Sequence, residues 1–226
     1  MCIRDRSTLL NLIAGVLSPD KGEILLGETN IREFSKNITA QNIAVVHQNN
    51  TAPDDITVRK LVAMGRTPYM GLFGKITDSD EKAIVKAMAD TDIMNYSDRA
   101  ISSLSGGQMQ RVWLAMALAQ DTGILLLDEI TTFLDIHYQL EMLNLISCLN
   151  KEKKITIIMV LHDINLAAQY CDEIVIMKQG QIIAQGSFED AMTEEVLGEA
   201  FDVNCRIITI NNKKHCIFNR KGESYV

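Results

Sequence analysis

Three apolar runs in this chain stop abruptly at polar residues, and they constrain the fold more than anything else in it. Ile43–Val46 leads into His47 and Gln48, 124–127 into Asp128 and Glu129, and 155–161 into His162 and Asp163. Continuous apolar runs of this length suit strands buried on both faces of a mostly parallel sheet. In such sheets ligands sit beyond the carboxyl ends of the strands. Gln48, Asp128, Glu129 and His162 are therefore expected along one edge, however far apart they lie in the chain.

Helical patterns separate the runs, at 7–16, 108–119, 134–150 and 165–171. Val112, Ala115, Met116 and Ala119 show the spacing of one helical face. Between 57 and 103 the pattern is almost wholly helical. Thr77 is placed to cap a helix with Asp80 at the third position and Ile84, Ala87 and Met88 on one side. The "GLFG" stretch at 71–74 reads as a loop. Further on, two apolar runs flank Gln179-Gly180 as a hairpin. A short helix over 189–201 and two strand-like runs around 211–214 complete the reading. The organisation expected is a single α/β domain: core at 7–56 and 104–186, an inserted helical subdomain at 57–103, and a C-terminal helix and hairpin at 187–226.

Composition narrows the function. The net charge is −7, from 22 basic and 29 acidic residues, which disfavours a nucleic-acid partner. Five cysteines without CxxC spacing read as reduced thiols rather than a disulfide framework or a metal site. No apolar run approaches the roughly 20 residues of a membrane helix.

Two stretches carry chemistry. In "LSGGQ" (104–108) two glycines admit close backbone approach, and a helix starts directly after them. The unpaired N–H groups and positive end of that helix, with the Ser105 hydroxyl, suit a phosphate, although a plain Ser-Gly-Gly helix cap has the same sequence. In "ILLLDE" a buried strand delivers Asp128 and Glu129. One can hold Mg²⁺ and the other can orient or deprotonate an attacking water, against the simpler reading of a solvated acidic turn. His162 and Gln48 are individually weak signals.

The order of these features is not weak. A phosphate-loop tail ("STLLNLIAGV"), Gln48, LSGGQ, a strand ending in Asp-Glu, "FLD" (133–135) and His162 occur in sequence. The set resembles the ATP-binding subunits of ATP-binding-cassette (ABC) transporters, from about Ser7 to Gly186. The resemblance implies a P-loop NTPase-like core, with ATP and Mg²⁺ as cofactors. It places Ser7 on Mg²⁺ and Thr8 at the inner phosphates. Gln48 becomes the Q-loop glutamine near the metal and γ-phosphate, Asp128 the metal-holding Walker B aspartate and Glu129 the catalytic glutamate. Ser105, Gly106, Gly107 and Gln108 become the signature that closes over ATP held by a second subunit. Asp135 becomes the D-loop aspartate and His162 the switch histidine. The partners implied are a second ATPase subunit in a homodimer, two integral-membrane permease subunits and, indirectly, a periplasmic or extracellular substrate-binding protein, with no nucleic acid. The location implied is peripheral, at the cytoplasmic face of the bacterial inner membrane.

"QRVWLAMALAQDT" and "LHDINLAAQYCD" are further similar to the ATPases of ferric-siderophore importers, with haem and cobalamin importers nearby. Two departures are small: Ile130 where the family usually has Pro, and Phe133 where it often has Tyr. The third is larger. Asp5-Arg6 stands where the resemblance calls for Gly-Lys, and "MCIRDR" replaces the Gly-rich loop and the strands expected before it. Arg differs from Lys in shape and reach. Hydrogen bonds to charged groups contribute about 1.5–3 kcal/mol each. Losing three of them weakens ATP binding roughly a thousandfold or more. The expectation is an N-terminally truncated chain, residues 1–6 foreign to the family, with open sheet edges and impaired ATP binding. The alternatives are a non-catalytic subunit or inert fragment; a cytosolic cassette ATPase fits less well, lacking paired cassettes or long insertions.

Overall fold

The computed structural model describes residues 3–70, 74–132, 134–210 and 213–221. Residues 71–73 of the loop expected at 71–74, Phe133, and residues 1–2, 211–212 and 222–226 lie outside that set. In chain order the elements are α1 (Ile3–Ile13), β1 (Leu25–Leu26), β2 (Thr29–Asn30), α2 (Lys36–Asn42), β3 (Ile43–Val46), α3 (Val58–Ala63), α4 (Asp78–Asp90), α5 (Gly106–Ala119), β4 (Ile124–Asp128), α6 (Ile136–Lys153), β5 (Thr156–Val160), α7 (Ile164–Tyr170), β6 (Ile174–Lys178), β7 (Gln181–Gly186), α8 (Phe188–Ala191), α9 (Glu194–Phe201), β8 (Asn204–Ile210) and β9 (Lys213–Asn219). They form two compact units, one of residues 10–160 and one of residues up to 9 together with 161–226.

The three abrupt apolar runs become β3, β4 and β5, a parallel sheet with β4 in the centre. Ile43 is opposite Ile124 and Val46 opposite Leu127; Asp128 is opposite Val160. The pleat sends Ala44, Val46, Leu125 and Leu127 into a large core shared with α3 to α6. Ile43 and Leu126 face the other way, against Leu10 and Ala14 of the α1 end and against Ile31. That second face is thinly covered. β5 is an edge strand among the described residues, and its Ile158 is 37% exposed. The other strands pair antiparallel, β1 with β2, β6 with β7 and β8 with β9. Gln179 and Gly180 both take positive φ (51° and 78°), as a two-residue hairpin turn between right-twisted strands requires.

Most helix boundaries shift by one to three residues from the sequence reading, and two differ in kind. A helix expected to begin at Ser7 begins at Ile3, because no Gly or Pro interrupts "IRDRSTLLNLI"; it ends where Gly15 takes φ +70°. The helix expected over 189–201 is two helices. Thr193 splits them, its hydroxyl accepting from Val196 N at 3.1 Å to cap α9.

The helical block is held by one buried ion pair. Thr77 and Asp80 form the expected capping box at the start of α4. Asp80 also accepts from Arg66 Nε at 2.8 Å, while Arg66 Nη1 donates to Ala119 O at 2.8 Å, at the end of α5. Both side chains are buried. Gly65, beside Arg66, lies so close to α5 that a Cβ there would meet Met116 O at 2.1 Å.

In the other unit, α7, α8 and α9 pack with the two hairpins around Ile174, Ile176, Leu197 and Cys216. The Asn165 side chain is bonded at both ends to one β9 residue: Nδ2 donates to Cys216 O at 3.1 Å and Oδ1 accepts from Cys216 N at 2.8 Å.

Two predictions follow from the Arg66 junction. The hydrogen bonds from Thr77, then that from Arg66, hold the Asp80 carboxyl at about 2, below its ordinary 3.8. A depressed pKa stabilises the fold above the unfolded value and is lost as pH falls through the folded one. Asp80→Asn should cost about 3–5 kcal/mol at pH 7, because Arg66 is left buried without its counter-charge. In urea melts the gap from wild type should narrow between pH 4 and pH 2. Gly65→Ala should lower stability by about 1–3 kcal/mol or more, since backbone rather than a flexible side chain must move.

Candidate functional site

Register builds the first part of the site. With Val46 opposite Leu127, the residues two places beyond each strand position also correspond, and Gln48 meets Glu129. Gln48 Nε2 donates to Glu129 Oε2 at 2.5 Å. The same oxygen accepts from Thr132 Oγ1 at 3.3 Å. Glu129 is 3% exposed and takes φ +56°, a region costly for a residue with a Cβ and concentrated at functional sites. The bend ends the strand, and Thr132 N closes the turn onto Glu129 O at 3.0 Å. Thr132 was not singled out from sequence. The only signal is a hydroxyl three residues after the glutamate, the span of one turn.

Asp128 is the last residue of β4 and is 5% exposed. Among the described residues no hydrogen-bond donor reaches its Oδ1. A buried carboxylate oxygen left over by the protein is a fitting ligand for a hard cation. Because Gln48 uses its nitrogen on Glu129, its amide oxygen remains the group suited to a metal.

The second part is a pair of helix starts. Ser105 caps α5: its hydroxyl accepts from Gln108 N at 3.3 Å, and Gln108 Oε1 accepts from Ser105 N at 3.0 Å. Gln108 Nε2 also donates to Tyr96 OH at 3.1 Å. Ser105 and Gln108 therefore have structural work whatever they bind. Nothing lies within 4 Å of a Cβ built on Gly106, so that glycine opens outward, whereas one on Gly107 would meet Tyr138 Cδ1 at 3.3 Å. Asp135 caps α6 by accepting from Tyr138 N at 3.0 Å. Both starts are exposed and carry the positive end of a helix dipole.

Ser7, Thr8 and His162 belong to the other unit. Ser7 and Thr8 lie one turn inside α1, where each N–H is directed at the carbonyl four residues back. Arg6 Nη1 donates to Leu161 O at 3.1 Å. His162 is exposed and directly precedes Asp163, which caps α7 by accepting from Asn165 N and Leu166 N at 2.7 and 3.2 Å. Burial pushes the Cys171 thiol up to about 11 and Cys205 up to about 12, so both remain protonated at neutral pH. No cluster of three or more metal-ligating residues exists among the described residues.

A sheet that ends in an Asp-Glu pair beneath a strand-end glutamine is the arrangement of a nucleotide-binding cassette. The profile of the ABC transporter family matches residues 6–132, and the chain belongs to that family, whose ATP-binding members are transport ATPases. It is 42% identical over 203 residues to the ferric enterobactin transport ATP-binding protein of Escherichia coli (90% of this chain, 75% of the relative). It is 42% identical over 219 residues to a petrobactin import ATP-binding protein of Bacillus anthracis (96% and 80%). It is 40% identical over 214 residues to the iron(3+)-hydroxamate import ATP-binding protein of Bacillus subtilis (94% and 80%). Among solved structures, a metal-chelate type ABC transporter in an inward-facing conformation aligns with a TM-score of 0.83 at 25% identity, over 96% of this chain and 83% of that one. A dimeric ATP-binding cassette bound to ADP and phosphate aligns with a TM-score of 0.68 at 26% identity, over 80% of each.

The unpartnered Asp128 oxygen makes a prediction that needs no nucleotide. Leaving a buried polar group unpaired costs about 1–3 kcal/mol, more when charged. Asp128→Asn should raise the melting temperature of the nucleotide-free protein, by roughly 2–4 °C per kcal/mol recovered. Differential scanning calorimetry without nucleotide checks it.

Proposed function

We propose that this chain is the ATP-hydrolysing subunit of a bacterial ABC importer that couples ATP binding and hydrolysis to uptake of iron–siderophore complexes. The observation that supports it best is the Gln48–Glu129–Thr132 arrangement beside the buried Asp128. Glu129, whose Oε2 accepts from Gln48 and Thr132, is the group that would orient or deprotonate water. Asp128 and the Gln48 amide oxygen are the groups that would hold Mg²⁺, with Ser7 added only by the family resemblance. Bound there, the cation neutralises phosphate charge as phosphoryl transfer proceeds. Ser105, Gly106, Gly107 and Gln108 offer a helix start to ATP held by a second copy. In the same reading Asp135 acts across the dimer, and His162 acts on the γ-phosphate, as the family resemblance implies. The siderophore half of the proposal rests on the three import relatives; haem or cobalamin is the other cargo class. No helix among the described residues is long and apolar enough to cross a membrane. In this reading the subunit works at the cytoplasmic face of the inner membrane, on two permease subunits.

The same proposal includes impaired nucleotide binding by the chain as it stands. Asp5-Arg6 stands in sequence where the family pattern has Gly-Lys, and the Ser7 and Thr8 amides are committed within α1. Titration calorimetry with ATP and Mg²⁺ should show no micromolar binding. Placing a Gly-rich loop ending in Gly-Lys ahead of Ser7 should restore both binding and turnover. In that form Glu129→Gln should abolish hydrolysis and leave an ATP-dependent dimer. Unchanged turnover in Glu129→Gln would remove Glu129 from its role. Micromolar binding by the unaltered chain would overturn the impairment.

A further inference from the structure

The starts of α5 and α6 are linked beyond what either turn needs for its own cap. At the first turn, Gly107 lies against Tyr138. One turn further along both helices, Arg111 Nη2 donates to Glu141 Oε2 at 3.1 Å. The other oxygen of Glu141 is 3.3 Å from His137 Nε2, back in the first turn of α6. Arg111 Nη1 meanwhile donates to Thr91 O at 3.2 Å, the residue that caps the end of α4. One guanidinium thus joins three helices: the last turn of α4, the second turn of α5 and the second turn of α6.

The magnitudes argue against a role in global stability. The Arg111 side chain is 22% exposed and that of Glu141 41%, and partly exposed ion pairs contribute about 0–1 kcal/mol. The large apolar core holds these helices together without them. At the two helix starts Ser105, Gly106, Asp135 and Ile136 are exposed, so the apolar core does not hold these residues directly. A planar guanidinium with donors on two of its nitrogens committed to two partners fixes direction as well as distance.

We propose that Arg111 is a positioning residue. Through Glu141 and the Thr91 carbonyl it holds the Ser105–Gln108 turn and the Asp135 turn as one rigid unit, so that both present their N–H groups to the same nucleotide-bearing face of a second copy. The inference rests on the function proposed above for these two turns.

The first test reads the unaltered chain and needs no nucleotide. Amide hydrogen exchange follows Gln108 and Met109 in α5 and Tyr138 and Gln139 in α6, whose N–H groups are bonded to Ser105 or Asp135. In Arg111→Ala the four should exchange faster together. Glu141→Gln should have the same effect, and Arg111→Lys, which keeps the charge but not the fork, should recover part of the protection. The melting temperature should change little. Unchanged exchange at Tyr138 and Gln139 in Arg111→Ala overturns the proposal, as does faster exchange spread evenly over the whole chain. The second test uses the form with the restored Gly-Lys loop. Arg111→Ala should lower turnover at saturating ATP about tenfold or more, with KM little changed, as a misplaced but intact group does. Turnover equal to that of the parent overturns the positioning role. If the parent itself shows no turnover, the proposed function fails, and the exchange result still decides whether Arg111 couples the two turns.

Discussion

The pairing of Gln48 with Glu129 depends on the register of one parallel ladder. β3 and β4 pair with Val46 opposite Leu127, and that alone brings the amide of residue 48 to the carboxylate of residue 129. A slip of one residue would turn Leu125 and Leu127 towards the thin face and swing Glu129 away from Gln48. The register is strongly specified because Leu125, Leu126 and Leu127 are almost wholly buried, on two faces with different partners. Packing energy in the strands is thus converted into hydrogen-bond geometry at their ends.

Three helix starts in the chain are disposed in different ways. α5 and α6 begin on Ser105 and Asp135 at exposed turns, where a side-chain oxygen satisfies one amide and the dipole points outward. α1 begins at Ile3, so the amides nearest Ser7 are spent inside the helix. The starts of α5 and α6 are thus exposed and capped by side chains, while Ser7 and Thr8 lie inside regular helix.

Much of this was legible in the sequence where a local rule and a global one agree. The runs before Gln48 and Asp128 read as buried strands; the run before His162 also reads as one and does form a strand, but at an edge of the sheet among the described residues, with none of its residues fully buried. Thr77 with Asp80 read as a helix start, and Gln179-Gly180 as a hairpin, since each signal lies within a few residues. The extension of α1 was obscured by the resemblance, which anticipates a loop where the residues themselves favour helix. Thr132 on Glu129, Arg111 on Glu141 and the approach of Gly65 to Met116 are contacts between residues that are ordinary in isolation. Nothing in "TT" or "QR" marks a partner, because the partner is chosen by how helices pack across the core. The reach of Arg66 to both Asp80 and Ala119 was hidden for the same reason.

The double bond between Asn165 and Cys216 has a consequence for the far end of the chain. The side-chain amide of Asn165 pairs with β9 as a neighbouring strand would, one bond given and one received. β9 belongs to the terminal hairpin, yet through this contact it steadies the first turn of α7, directly behind His162. The tail is thus a brace for a segment about fifty residues upstream, Asn165 and Cys216 being 51 positions apart. Fusions or proteolytic nicks that peel the last strand away would be felt first at that histidine, not at the terminus where they were made.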